Sequence, residues 1–257
     1  MCDIFLKEDV RQLFRGKHVV FMGDSNIRAL YKDMVCLSEN SKFITLTNLK
    51  SKLPSSVYGD KLVFSGPLCN GRNYREERDK RLSGNTNFSY FFLTRVFDDY
   101  VETVLKHITS SQDKPDVVVL NSCVWDISRW GPNGIKMYKE NLVKLMKQFQ
   151  KLLPKNCLVI WVTTPPIASE MKGGFLVKEL QFLKYSLRFH VVESNYYARK
   201  IVVSHGYDVL DFHYHLRMQL HRRDTDGVHW FPEAVRYLLN LLLTHISLAW
   251  GKPLPHR

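Results

Sequence analysis

The chain has 257 residues, 45% of them apolar and 24% charged, with 37 Lys and Arg against 25 Asp and Glu for a net charge of +12. A chain of this length buries roughly 70–75% of its unfolded surface, which removes any need for a disulfide or structural-metal staple and excludes a low-complexity chain. The basic balance favours anionic partners (nucleic acid, phospholipid headgroups or an acidic substrate), or it is a plain basic surface, since the charge is spread along the chain.

Residues 1–14 carry acids and lack a continuous apolar core, so no signal peptide is expected. The cysteines Cys2, Cys36, Cys69, Cys123 and Cys157 are odd in number and form no C-x-x-C pair. They read as reduced thiols of a cytoplasmic or nuclear, not secreted, protein. No apolar run reaches 18 residues, so no membrane-spanning helix is expected.

In chain order, the first buried strand is HVVFMG at 18–23, and a helix follows over 26–37. A second strand, KLVFSG, is expected at 61–66. Residues 66–92 mix Gly, Asn, charge and aromatics and read as a long loop, with 72–81 as a solvated lid of both signs. A helical pattern over 94–108 precedes a third strand at 116–121, and another over 133–153 precedes a fourth at 157–164. Residues 164–185, with Pro165, Pro166 and Gly173–Gly174, read as a second long loop. The next helix takes Ser194 as N-cap and Gly206 as its stop, and a fifth strand follows at 207–212. Pro232 opens the last helix, a buried amphipathic one. Strands alternating with helices predict a single domain over 1–257 with a three-layer α/β/α fold and a five-stranded, mostly parallel sheet.

In such sheets ligands bind beyond the carboxyl ends of the strands, and the reactive residues fall there. Gly23-Asp24-Ser25 ends the first strand. It places Ser25 on a tight turn with its N–H at a helix start, which also describes an ordinary capped turn. Asp24 reads as the cap. Asp226-Gly227-Val228-His229 follows the fifth strand. One turn there carries both an imidazole base and the acid that orients it, the logic of a serine–histidine–aspartate set. His213, His215 and His221 lie just upstream, but no Asp, Glu or Cys completes a metal-ligand set, so no metal is expected.

Together the two motifs resemble the GDSL/SGNH hydrolase superfamily. The string Gly23-Asp24-Ser25-Asn26-Ile27-Arg28-Ala29-Leu30, with Asn121-Ser122-Cys123-Val124-Trp125-Asp126 and Trp230, resembles its PC-esterase branch, of the PC-esterase domain-containing protein 1 type, from about residue 18 to 243. The resemblance implies Ser25 as nucleophile, His229 as base and Asp226 behind it. It implies an oxyanion hole from the Ser25 N–H with Gly66, Asn121 and Arg28. Asp24, Asn26, Trp125 and Trp230 are pocket candidates. No cofactor is implied, and the substrate implied is a small-molecule, glycan or lipid ester. The chain departs from the superfamily in its third block, Asn121-Ser122-Cys123 in place of Gly-x-Asn-Asp, and in Asn26, which replaces the leucine of the motif. The alternative readings are an inactive scaffold of this fold, or a basic binder of anionic lipid or nucleic acid.

Overall fold

The computed structural model describes residues 3–69, 71–131, 133–172, 176 and 178–256. Cys2 and the Gly173–Gly174 pair lie outside the described residues. Helix α1 (Lys7–Leu13) leads to strand β1 (His18–Gly23), which turns directly into α2 (Ser25–Glu39). A short α3 (Leu46–Lys50) precedes three strands, β2 (Lys61–Ser65), β3 (Glu76–Leu82) and β4 (Thr86–Phe92). Helices and strands then alternate through α4 (Asp99–Ser110), β5 (Val117–Leu120), α5 (Val124–Arg129), α6 (Gly134–Leu152) and β6 (Leu158–Val162). They continue as α7 (Leu187–Ser204), β7 (Asp208–Leu210), α8 (Phe212–Leu216) and α9 (Pro232–Ala249).

The strands form one sheet in the order β2-β3-β4-β1-β5-β6-β7. Strands β4, β1, β5, β6 and β7 run parallel. The pleat sends alternate side chains to opposite faces. Val19, Phe21, Val117, Val119, Ile160 and Val162 pack with α2 and α9 on one side. Val20, Met22, Val118, Leu120, Val159 and Trp161 pack with α4, α6 and α7 on the other. Each such side chain, fully removed from water, contributes roughly 1.5–3 kcal/mol. Two covered faces explain why these strands read as unbroken apolar runs.

The sheet has seven strands, not five, and the difference lies at one edge. Residues 76–92, expected as loop, form the hairpin of β3 and β4. The fully buried β4 takes the place beside β1. Strand β2, expected to be buried, pairs antiparallel with β3 at the edge and is largely exposed. The reason is chemical. Strand β3 is EERDKRL, and its core-facing side chains are Glu76, Arg78 and Lys80. They are buried as ions, not as hydrocarbons. Glu76 Oε2 lies 2.8 Å from Arg28 Nη1, and Glu76 Oε1 lies 2.6 Å from Arg78 Nε. Arg78 continues to Asp60 Oδ2 at 3.1 Å, and Tyr31 donates to that same oxygen at 3.2 Å.

The expected N-cap Ser194 is instead buried in the middle of α7, which begins at Leu187. Its stop at Gly206 holds: that residue has φ +81° and donates to the Val203 carbonyl at 3.0 Å. Among the described residues no helix is long and apolar enough to cross a membrane.

Candidate active site

The turn from β1 into α2 is built by Gly23 and Asp24. A Cβ on Gly23 would stand 2.5 Å from Ile27 Cγ1 and 2.6 Å from the Asn121 carbonyl oxygen, so only glycine fits. Asp24 caps α2 by accepting the Asn26 N–H at 2.8 Å. Burial pushes its carboxyl up, and the Asn26 N–H works against that. Ser25 is therefore the first residue of a 15-residue helix. Its N–H has no acceptor within the helix and is part of the positive end of the helix dipole.

The second half of the site is the loop before α9. Asp224 N–H donates to the His229 carbonyl at 2.8 Å, and Phe231 N–H donates to that of Arg222 at 2.9 Å, which closes residues 222–231 into a tight arch. Within it Asp226 Oδ1 accepts the N–H groups of Val228 and His229, both at 2.9 Å. Gly227 has φ +85°, and a Cβ there would meet the Glu170 carbonyl oxygen at 2.7 Å. The loop after β6 straps the arch down, since Ala168 N–H donates to the Gly227 carbonyl at 2.7 Å and Lys172 N–H to that of Asp226 at 3.0 Å. Gly227→Ala is expected to cost roughly 1–2 kcal/mol for the left-handed backbone alone, read by denaturant titration.

The two halves meet. His229 Nε2 stands 2.6 Å from Ser25 Oγ, and His229 Nδ1 stands 2.6 Å from Asp226 Oδ2. Burial pushes the Asp226 carboxyl up. The hydrogen bond and charge of His229, with the two backbone N–H groups, outweigh it and hold the carboxyl well below the usual range. The elements are clamped further back, where Arg236 of α9 grips Asp33 of α2 by two bonds of 2.7 and 2.8 Å, both side chains buried. Such a hydroxyl–imidazole–carboxylate line can take a proton from the serine and return it to a leaving group.

A cavity of about 350 Å³ opens over Ser25. Its wall holds the expected Asn26, Arg28, Trp125 and Trp230 and residues that sequence reasoning missed, chiefly Tyr74, Phe92, Arg129 and Lys172. Phe92 ends β4, the strand beside β1, and packs edge-on against Tyr74 at 4.5 Å and Trp125 at 5.4 Å. Recognising β4 would have pointed to it. Arg28 Nη1 donates to Tyr74 Oη at 3.0 Å and Glu76 Oε2 at 2.8 Å. Burial lowers its tendency to hold a proton, and the Glu76 carboxylate more than restores it.

Three expected residues stand elsewhere. Gly66 follows the edge strand β2, and its N–H is spent on the Arg75 carbonyl at 3.0 Å. Asn121 turns away: its Nδ2 donates to the Val162 carbonyl at 2.7 Å and Thr164 Oγ1 at 3.1 Å. It borders a separate cavity of about 20 Å³. Asp24 is consumed as a cap and does not line the main cavity. His213 packs against Asn195 and Thr164, and His215 against Tyr237. Among the described residues no group of three or more His, Cys, Asp or Glu is arranged to hold a metal ion.

No protein-family model matches the chain. It is 43% identical to human PC-esterase domain-containing protein 1A, over 98% of this chain and 56% of that protein. Human PC-esterase domain-containing protein 1B is 42% identical, over 97% of this chain and 58% of that protein. This chain belongs to the PC-esterase domain-containing protein 1 family. It spans a little over half the length of those relatives. The fold of this PC-esterase relative is that of GDSL/SGNH hydrolases. A GDSL-like lipase from Bacteroides thetaiotaomicron superposes with a TM-score of 0.53 at 12% identity, over 96% of this chain and 92% of that one. An acetylxylan esterase from Geobacillus stearothermophilus superposes with a TM-score of 0.52 at 13% identity, over 91% and 96%.

Proposed function

We propose that this PC-esterase relative is a serine-dependent esterase or O-acyltransferase. The observation that carries the reading is the 2.6 Å contact of His229 Nε2 with Ser25 Oγ, with Asp226 on the far nitrogen. Ser25 Oγ attacks the ester carbonyl carbon as its proton passes to His229 Nε2. The carbonyl oxygen becomes an oxyanion beside the Ser25 N–H and the Arg28 guanidinium, two of the four donors expected from sequence, since the Gly66 N–H and the Asn121 amide are bonded elsewhere. The C–O bond to the alcohol then breaks, and His229 returns the proton to the departing oxygen. Water, or the hydroxyl of an acceptor, attacks the acyl-serine with the same histidine as base. A 350 Å³ cavity suits a small-molecule or glycan ester end or a short lipid acyl chain. The protein's relatives carry esterase names, which agrees with the reading.

A fluorophosphonate probe tests it. Wild-type protein is expected to be labelled on Ser25, and Ser25→Ala to be blank. A folded wild type that takes no label would favour the inactive-scaffold alternative.

A further inference from the structure

We infer that the outward face of α7, with the turn that precedes it, docks on an anionic phospholipid membrane. Helix α7 is apolar on two sides. Leu187, Val191, Ala198 and Val202 are buried toward the sheet. Phe189, Val192, Tyr196 and Val203 are 60%, 51%, 52% and 56% exposed on the other side. At about 100° per residue these four fall within an arc of about 60°. Phe182 and Tyr185, on the turn before the helix, extend the patch at 65% and 72% exposure. A helix that needs one apolar stripe for its own core, and shows a second to water, has that second stripe for something else.

The borders of the stripe say what covers it. Arg188 and Lys200 lie about 60° to either side of the stripe, with Arg199 between them on the Arg188 side. Lys184, Arg188 and Lys200 each lean on an exposed ring, 5.3 Å from Tyr185, 4.7 Å from Phe189 and 4.6 Å from Tyr196. The neighbouring α6 exposes Lys144, Lys147 and Lys151 from the same layer. Acids lie here too, but two of them are already paired: Glu193 with Lys139 at 3.2 Å and Glu170 with Lys184 at 3.6 Å. Aromatic and aliphatic side chains edged by Lys and Arg form the face of a helix that lies in a lipid interface, its cations among anionic headgroups. A second copy of the chain fits poorly, since a two-fold contact through this stripe would gather Arg188, Arg199 and Lys200 of both copies in one interface, like charges together. The face also sits beside the cavity. Lys184 pairs with Glu170 at 3.6 Å, on the loop that straps the Asp226 arch and supplies Lys172 to the cavity wall. Docking on α7 would therefore act next to a loop that reaches the cavity wall. None of this depends on the ester chemistry.

The test is sedimentation of the full chain with phosphatidylcholine vesicles, with and without phosphatidylserine. Phosphatidylserine is expected to raise the bound fraction about tenfold or more, and added salt to reverse the gain. The charge reversal Arg188→Glu/Arg199→Glu/Lys200→Glu, confined to exposed side chains, and the pair Phe189→Ser/Tyr196→Ser should each remove most of that binding. Lys61→Glu/Lys252→Glu, exposed cations elsewhere, should bind as the wild type does. Equal binding to both vesicle types, no binding, or binding that the charge-reversal triple leaves intact would overturn the proposal. So would an oligomer that Phe189→Ser/Tyr196→Ser converts to a monomer, which would assign the face to a protein contact.

Discussion

Asp226→Asn is expected to lower ester turnover by about 10⁴-fold with little change in KM, and Ser25→Ala or His229→Ala by at least as much. The amide can still accept the Val228 and His229 N–H groups at Oδ1, so the arch keeps its shape. What it loses is the anion on His229 Nδ1. An uncharged partner no longer stabilises the imidazolium that forms as Ser25 gives up its proton, and it lets the ring settle in the wrong tautomer. Single-substitution losses should not add, because the three side chains act as one unit. A double variant Ser25→Ala/Asp226→Asn should be no slower than Ser25→Ala alone. Steady-state kinetics on a chromogenic acetate ester decide this, and equal turnover in wild type and Ser25→Ala would remove the assignment.

The same carboxylate carries a pH signature. Its folded value is depressed, so it binds a proton less readily in the native chain than in the unfolded one. The stability it supplies is fully present above the ordinary carboxylate value of about pH 4 and is lost as pH falls through its folded value. Thermal midpoints of the wild type should therefore fall in acid more steeply than those of Asp226→Asn. An acid limb in the rate that sets in above about pH 4 belongs to another group.

Glu76→Gln is expected to destabilise the fold by about 3–5 kcal/mol, the largest effect of any single polar substitution considered. Its side chain has no exposure and is shared by Arg28 and Arg78, themselves 6% and 0% exposed. The neutral amide leaves two buried guanidinium groups facing one remaining anion, Asp60, and the Tyr74 hydroxyl loses a charged acceptor. Burial works to raise the Glu76 carboxyl, yet Arg28 and Arg78 hold it below its usual value, so the ionised form is the one the core requires. Arg81→Ala breaks a pair that is 74% and 47% exposed and should cost no more than about 1 kcal/mol. Urea titration of both variants makes the comparison. A Glu76→Gln midpoint within error of Arg81→Ala would mean that the network is not ionised as described. Because Arg28 lines the cavity over Ser25, Glu76→Gln should also slow turnover in the protein that remains folded.

Residues whose role is local were legible without coordinates. The strands at 18–23, 116–121 and 157–164 announce themselves because sheet faces covered on both sides demand unbroken apolar runs. The cap at Asp24, the stop at Gly206 and the proline opening α9 follow from backbone chemistry within a few residues. Ser25 stands out because it occupies the turn at the carboxyl end of β1, and Asp226 and His229 because their spacing is that of a single turn just before the last helix. Residues whose role depends on distant partners were not legible. Strand β3 looks like a solvated charge run until Asp60 and Arg28, far from it in sequence, are seen to neutralise its buried face. Missing that strand moved β2 into the core and put Gly66 at the wrong edge. Asn121 stands at the end of the expected strand, but Val162 on the neighbouring strand and Thr164 just beyond it claim its amide.

The sequence alone was enough to determine the layered α/β plan and to single out Ser25, Asp226 and His229 as candidates, because apolar period, capping and turn chemistry are written over short stretches of chain. Only the tertiary structure decided the sheet edge, the fate of the buried charges, which donors face Ser25 and what lines its cavity. A hydrogen bond or buried ion pair is made by two partners, and nothing in the neighbourhood of one names the other.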